Sequence, residues 1–433
     1  MAIEALHKVK FVTLGCKLNF SESATMGQQL QERGIARTVV GDEEPDICVV
    51  NTCSVTSLAD RKCRQNIRSL IKRYPKALVV VTGCYAQLQG KSIAEIDGVD
   101  IVLGNEQKGD VVDYIERWLN DHHSELAVTP HKDIRRFSPS CECGDRTRYF
   151  LKVQDGCDYY CSYCTIPLAR GRSRSGTIAS LVEQAQDVAR RGGKEIVITG
   201  VNIGDFGKNT GEKFLDLLKA LDAVDGIERY RISSLEPDLL DDEVIAWCSA
   251  SRAFMPHFHI PLQSGSDEVL RLMRRHYDRA LFARKVERIH ELMPHAFIGV
   301  DVMVGTRGEL PEYFDDSLQF IASLGVQHLH VFPYSERPGT MALRIPYIVP
   351  KAERDRRVAL MMELSDRQQR EFIERFLGTN RPVLFEQPPA SSKVMHGFTD
   401  NYIRVTVPYR KELVNTVAQV KLDRSIISTT HNS

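Results

Sequence analysis

The sequence predicts an α/β protein built in three parts. These are an open parallel α/β sheet domain at residues 8–120, a partial (β/α)6 barrel at 148–376 and a small antiparallel β-barrel at 377–433, with a linker at 121–147. Three observations lead there. Short apolar runs alternate with amphipathic stretches in the first part, the rhythm of a parallel sheet with helical crossovers. A second alternation follows with six strand candidates, too few for a closed eight-stranded barrel. After Arg381 the helical period stops, and short strands separated by Gly, Asp and Asn take over.

In the first part "VKFVTLG", "DICVVNT", "ALVVVTG" and "DIVLGN" read as strands. "SESATMGQQLQER", "SLADRKCRQNIRSLIKRY" and "GDVVDYIERWL" read as helices, with Gly34 and Pro75 as stops. The stretch "NDHHSELAVTPHKDIRRFSPSCECGDRT" loses both periods and reads as the linker. The second alternation runs through "RYFLKVQ", "EIVITG", "IERYRISS", "FMPHFHIPLQ", "AFIGVDVMVG" and "HLHVFPYS", with helices such as "IASLVEQAQDVARRG" between them. A long charged helix at about 350–376 leads out to "RPVLFEQ", "NYIRVTVPY" and "NTVAQVKL".

The 433 residues carry 57 basic and 57 acidic side chains, so no chain-wide field favours a polyanion and any basic surface must be local. No run approaches the ~20 apolar residues of a membrane span, and the N-terminus lacks a signal-peptide pattern. The expected setting is cytoplasmic, with no membrane partner. Eleven cysteines in that reducing setting are metal ligands or buried hydrophobes rather than disulfides.

Two sets of cysteines stand out. Cys157, Cys161 and Cys164 form C-x-x-x-C-x-x-C just past a barrel strand. Iron–sulfur clusters are held by thiolates, and three on a four-iron cubane leave one iron open. Zinc competes as a reading, although structural zinc wants a closed four-ligand site. Cys16, Cys53 and Cys84 each follow a different strand of the first part, at the carboxyl edge where open α/β sheets build sites. Three unrelated buried thiols are the bland alternative. Cys48 within a strand, Cys63 within a helix and Cys248 after Trp247 read as small hydrophobes, and Cys141 and Cys143 form a C-x-C in the linker.

"DGCDYYCSYCTIPLARGRSRS" resembles the cluster loop of radical S-adenosylmethionine enzymes. "TLGCKLNFSES", "NTCSVTSLADRKCRQ" and "VTGCYAQ" resemble the N-terminal domain of the methylthiotransferases, and "VLFE…GFTDNYIRV" that family's small RNA-binding barrel, the TRAM domain. Within the family, "GCKLN" and "ADRKCRQ" are similar to the branch acting on N6-threonylcarbamoyladenosine at position 37 of tRNA. The resemblance implies two [4Fe-4S] clusters, one on Cys157, Cys161 and Cys164 with S-adenosylmethionine on its open iron, the other on Cys16, Cys53 and Cys84 with a sulfur-donating ligand. It implies two S-adenosylmethionine molecules per turnover: one methylates sulfur, and the other is cleaved to a deoxyadenosyl radical that removes the hydrogen from adenine C2. The implied partners are the tRNA anticodon stem-loop and a reducing electron donor such as flavodoxin or ferredoxin. The same chemistry on isopentenyladenosine or a ribosomal-protein aspartate is the rival target, and a zinc-containing RNA-binding protein the rival class.

The resemblance carries further positions. Gly192, Gly193 and Glu195 in "GGKEIVITG" match a strand near the amino-acid end of the cofactor, although a helix-to-strand turn also explains both glycines. Ser233, Glu236 and Gln263 lie at strand ends and are expected to face the cofactor. Where the family usually reads "VGFPGET", this chain has Thr306 and Arg307 in "VGTRGEL", which places a charge near the expected cofactor edge. For RNA, Arg170, Arg172 and Arg174 after the cysteine loop and the helix holding Arg61, Lys62, Arg64, Arg68, Lys72 and Arg73 are candidate phosphate contacts. Phe398 and Tyr402 beside Arg404 are candidates for stacking on an unpaired base.

Overall fold

The computed structural model describes residues 6–141, 147–389 and 391–427; Cys143 lies outside them. Strands β1 (His7–Thr13), β2 (Ala36–Thr38), β3 (Ile47–Thr52), β4 (Leu78–Gly83), β5 (Ile101–Leu103) and β6 (Glu125–Ala127) form one sheet in the order β2-β1-β3-β4-β5-β6. Every pair in it is parallel. Helices α1 (Lys17–Glu32), α2 (Ser57–Arg73), α3 (Cys84–Ala94) and α4 (Val111–Asp121) cross over between strands. One face packs Val9, Ile47, Val49 and Val80 on α1 and α4, and the other packs Cys48, Val50, Val79 and Val81 on α2 and α3. Burial on both faces is why β3 and β4 are continuous apolar runs.

The stretch read as a linker is more structured than its sequence suggests. It supplies β6, the sheet's edge, and β7 (Ser140–Cys141), which pairs antiparallel with β8 (Arg148–Lys152). Cys141 is buried there, and its N–H donates to Thr25 Oγ1 at 3.3 Å.

Two short strands, β9 (Gln154–Asp155) and β10 (Arg174–Ser175), pair antiparallel and bracket the cysteine loop. Parallel strands β11 (Glu195–Thr199), β12 (Arg229–Ile232), β13 (His257–Gln263), β14 (Phe297–Val304) and β15 (His328–Pro333) follow in chain order. β8, β11 and β12 pair in sequence, as do β13, β14 and β15. Isolated parallel bridges, Tyr230–Phe254 and Ser234–His259, link the two groups. Helices α5 (Ile166–Arg170), α6 (Ile178–Arg190), α7 (Phe214–Asp222), α8 (Asp242–Ala250), α9 (Asp267–Met273), α10 (Arg279–Leu292), α11 (Pro311–Ser323) and α12 (Lys351–Glu374) complete this part.

Strand alternation sorts these six strands into two faces. Leu151, Ile196, Ile198, Tyr230, Ile260, Ile298, Val300 and Leu329 join the core shared with the helices. The alternate residues mix apolar side chains such as Phe150, Val197 and Met303 with many polar or charged ones: Arg148 and Lys152, Glu195, Arg231, His257 and His259, Asp301, and His328 and His330. The face turned away from the helices therefore has the chemistry of a binding surface rather than of a filled core.

The C-terminal strands β16 (Asn380–Phe385), β17 (Val394–Thr399), β18 (Arg404–Pro408) and β19 (Val417–Lys421) form an antiparallel sheet in the order β18-β17-β16-β19. Its core includes Phe297 from the start of β14 and Phe372 and Phe376 at the end of α12. Arg229 donates to the Phe398 and Pro382 carbonyls, and Arg231 to those of Asp400 and Thr399, all four at 2.8–2.9 Å. The sheet thus closes the amino end of the central strands. No described helix is long and apolar enough to cross a membrane.

Candidate active site

The first cysteine set sits where three neighbouring parallel strands end. Cys16 occupies the N-cap position of α1, Cys53 follows β3, and Cys84 opens α3 directly after β4. Two glycines make the approach possible. Gly15 has φ +104° and Gly83 φ +102°; a Cβ on Gly15 would stand 2.7 Å from Cys53 Sγ, and one on Gly83 2.4 Å from the Thr52 carbonyl oxygen. Burial pushes the Cys53 thiol up to about 12, and the neighbouring Cys84 and Cys16 push the same way. Cys16 is exposed as a residue, yet the desolvation of its thiol among these neighbours raises it too, against the pull of Arg170. Crowded thiols of this kind ionise when a metal centre supplies positive charge.

Cys48 and Cys63 stand apart from this set. Both are fully buried in the apolar layer under α2 and α3, and Cys63 Sγ donates to the Cys53 carbonyl at 3.3 Å. Cys48→Ala is expected to leave bound iron unchanged and to lower stability by about 1 kcal/mol. Iron analysis and urea unfolding check this; lost iron would overturn the choice of strand-end thiols. Cys248 is buried in the helix-side core of the central strands.

The second set lies in a loop shaped by backbone contacts. Gly156 has φ +71°, and a Cβ there would stand 2.0 Å from the Arg172 carbonyl oxygen. The Cys157 N–H donates to the Gly171 carbonyl at 3.1 Å. Three donors face the sulfurs: Tyr159 N–H to Cys157 Sγ at 3.5 Å, Ile166 N–H to Cys164 Sγ at 3.4 Å, and Arg275 Nη1 to Cys161 Sγ at 3.0 Å. Burial raises all three thiols, Cys164 to about 12, while Arg275 pulls Cys161 down. Among the described residues, no three His, Cys, Asp or Glu side chains converge on one ion. A closed zinc site takes four side-chain ligands, and this loop offers three thiols. All-thiol donors with N–H groups aimed at sulfur fit a cluster whose irons each take one thiolate.

The remaining predicted residues divide. Ser233 and Gln263 lie at the carboxyl ends of β12 and β13, on the same edge as the second cysteine set, and Gln263 is held at φ +65° at a strand irregularity. Glu236 pairs with Arg275, the arginine that also bonds Cys161. Burial lifts Glu236 to about 7 despite Arg275. Gly192, Gly193 and Glu195 are at the opposite end. Gly192 (φ +82°) makes the turn into β11, and Gly193 packs so closely that a Cβ would stand 2.4 Å from Val188. Glu195 opens β11, pairs with Arg231 at 3.1 Å and abuts the C-terminal sheet. The structure separates these three from the cysteines.

The basic candidates are corrected more sharply. Arg170 is buried, with its guanidinium 3.0 Å from both Glu22 and Asp155 and 2.8 Å from Asn19 Oδ1. Arg174 is buried too, bonded to Asp155 and to the carbonyls of Arg136, Arg170 and Arg172. Neither faces a phosphate; Arg172 alone of the three is exposed. Phe398 and Tyr402 stack on each other with centroids 4.8 Å apart. Arg148 lies 4.6 Å over Phe398 and Arg231 4.9 Å over Tyr402, so both rings are built into the contact with the central strands. Arg404 is half-buried at the start of β18. Arg307 directs its guanidinium to Glu336 and to the Leu343 and Ile345 carbonyls.

Sequence reasoning missed Asn19, Glu22 and Arg275. Asn19 Nδ2 bonds the Leu14 and Thr52 carbonyls, tying together the loops that carry Cys16 and Cys53. Glu22 takes Lys108 at 2.7 Å from its own domain, and Lys152 at 2.9 Å and Arg170 at 3.0 Å from the next. The two cysteine sets meet where Thr165 Oγ1, beside Cys164, donates to the carbonyl of Ser54, beside Cys53, at 3.4 Å. Arg337 clamps that junction through Ser54 Oγ at 2.7 Å and Asp60 at 2.8 Å.

Residues 8–104 match the family described as uncharacterized protein family UPF0004, and residues 151–321 the radical SAM superfamily. A threonylcarbamoyladenosine tRNA methylthiotransferase MtaB of Bacillus subtilis is 35% identical over 96% of this chain and 93% of its own length. One from Aquifex aeolicus is 34% identical over 94% and 98%. The fold is similar to that of the radical S-adenosylmethionine methyltransferase TsrM from Kitasatospora setae, with a TM-score of 0.59 over 79% of this chain and 78% of that one at 15% identity. With cysteine loop, domain order and relatives in agreement, the chain belongs to the radical S-adenosylmethionine methylthiotransferases, in their MtaB branch.

Proposed function

We propose that the protein methylthiolates C2 of N6-threonylcarbamoyladenosine at position 37 of tRNA. In this reading Cys157, Cys161 and Cys164 hold one [4Fe-4S] cluster, Cys16, Cys53 and Cys84 hold a second, and two S-adenosylmethionine molecules serve each turnover. The observation that carries it is the junction of the two thiol sets through Thr165 and Ser54. A radical made at one centre must meet sulfur delivered by the other on the same base, so the centres need neighbouring, immobile frames. The relatives' names support the tRNA target and this adenosine.

Bound there, the cofactors supply the hydrogen-abstracting radical and the methylthio group. The chain's own residues bind, orient and shield. Arg275 fixes Cys161 and Glu236 together, and Ser233, Glu236 and Gln263 line the edge assigned to S-adenosylmethionine. The central strands are read as the partial (β/α)6 barrel of 148–376, and 377–433 as the TRAM-like barrel, following the first domain (8–120) and the linker (121–147).

The tRNA backbone is assigned mainly to α2. Its Arg61, Lys62, Arg68, Lys72 and Arg73 are exposed, whereas Arg64 is tied to the Tyr85 hydroxyl at 2.7 Å. The helix starts four residues after Cys53, so phosphates lying on it lead toward the cysteines. Replacing Arg61, Lys62, Arg68 and Lys72 together by Gln is expected to flatten the slope of log affinity against log salt, by about 0.7–0.9 for each phosphate no longer neutralised. Affinity at several salt concentrations measures this; an unchanged slope would move the RNA elsewhere. Nucleoside analysis of tRNA from a strain lacking the gene tests the function. The expected result is N6-threonylcarbamoyladenosine without its 2-methylthio derivative; a loss confined to methylthiolated isopentenyladenosine would overturn the reading.

A further inference from the structure

Most charges on the inward face of the central strands are cancelled in pairs. Arg148 meets Glu386 at 2.7 Å, Arg231 meets Glu195 at 3.1 Å, and His259 Nε2 meets Asp301 at 2.8 Å. Lys152 is bound to Glu22 and Asp155. One cation turned toward this face comes from the other domain. Lys17, next to Cys16 at the first position of α1, is exposed and makes no ion pair or hydrogen bond with its ammonium among the described residues. Its Nζ stands 5.9 Å from the ring centroid of Phe150 on β8. Its charge also acts on His257, Asp301, His330 and Tyr402, carried by β13, β14, β15 and the turn after β17.

The groups near it are polar hydrogen-bonding side chains. His259 Nε2 and Asp301 are in contact at 2.8 Å, and His330 lies beside that pair, its ring centroid 4.9 Å from that of His259. Burial and the neighbouring His259 hold His330 uncharged at neutral pH, down at about 3. An ammonium with no ion pair or hydrogen bond among the described residues, beside side chains that can hydrogen-bond, is suited to a ligand with one anionic end and a polar stem. It is poorly suited to an apolar chain, which gains nothing by stripping water from a cation.

We propose that Lys17 and the inward face of His259, Asp301 and His330 form the pocket for the N6 substituent of the target adenosine, Lys17 binding the carboxylate of an amino acid carried there as a carbamoyl group. This rests on the substrate reading given under Proposed function and assigns the residue that enforces it. The pocket belongs to neither domain alone. Lys17 comes from the first, on the residue adjoining a proposed cluster ligand, and its three partners come from the second. The substituent would thereby hold the base between the two cysteine sets.

The test is binding of anticodon stem-loops to anaerobically reconstituted, cluster-loaded protein. The stem-loops carry N6-threonylcarbamoyladenosine, its carboxyl methyl ester, isopentenyladenosine or adenosine at position 37. The wild type is expected to prefer the free acid over the other three by about tenfold or more, the scale of one charge-assisted hydrogen bond. Lys17→Gln should bind acid and ester equally, with iron content equal to wild type, and Lys17→Arg should keep most of the preference. If the wild type binds the acid no better than adenosine, the substrate reading itself fails. If it prefers the acid but binds the ester as tightly, or if Lys17→Gln still distinguishes the two, only the Lys17 proposal fails. The ester comparison needs no variant, so a folding defect in Lys17→Gln leaves the proposal testable.

Discussion

Replacing Cys157, Cys161 and Cys164 together by Ala is expected to halve bound iron and abolish reductive cleavage of S-adenosylmethionine. Replacing Cys16, Cys53 and Cys84 should also halve iron, yet leave cleavage to deoxyadenosine intact and stop only sulfur transfer. The asymmetry follows from where the sets are anchored. The first trio hangs on β1, β3 and β4, whose two cores are made within that domain. The second hangs on a loop held by Gly171, Met273 and Arg275, all in the central part. Neither set donates a ligand to the other, so each cluster should assemble alone. Iron and sulfide analysis with a cleavage assay lacking tRNA decides it; full iron in the second triple variant would remove the N-terminal cluster.

Glu22→Ala is expected to destabilise the protein by about 3–5 kcal/mol, because removing one member of a buried ion network leaves charges without partners. Lys108, Lys152 and Arg170 all bond Glu22, with Asp155 the remaining carboxylate near Lys152 and Arg170. Burial alone would raise the Glu22 carboxyl, but Arg170, Lys108 and Lys152 outweigh it and hold the group well below its ordinary 4.5. A depressed carboxylate contributes stability that is complete above its unfolded value and disappears as pH falls through its folded one. Wild-type stability should therefore drop steeply on acidification below about pH 4.5, and the Glu22→Ala curve should be flatter there. Urea unfolding at a series of pH values reads both; parallel curves would show that Glu22 is not what couples stability to acid.

The fold was largely legible because burial on both sheet faces writes β3 and β4 as six-residue apolar runs. β2 and β6 escaped for the opposite reason: each has three residues at a sheet edge, too few to display a period. The placement of both cysteine sets was legible, one through local spacing and the other because each thiol follows a strand. Glu195 was misplaced although chain direction held the answer, since the first residue of a parallel strand lies at the amino edge, away from the site. Arg170 and Arg174 could not be told from surface arginines. "ARGRSRS" reads the same solvated or buried, and the carboxylate that buries Arg170 lies 148 positions away. Arg275 emerges as the inward arginine only once Arg274 takes a left-handed φ of +58° to end α9.

The Glu22 network also limits how this protein can be taken apart and recombined. A chain ended near residue 147 would keep Glu22 and Lys108 and lack Lys152, Asp155 and Arg170, leaving a half-built salt cluster open to water where Ser21 should meet the Phe150 carbonyl. Chimeras exchanging the first domain between relatives would have to carry positions 22, 108, 152, 155 and 170 as a block, whatever the boundary drawn between domains. On the ribosome the same dependence gives synthesis a direction. The first sheet can collapse as it emerges, but its seam is finished only when the second cysteine loop arrives, so the two thiol sets are brought into register by the closing of one polar joint.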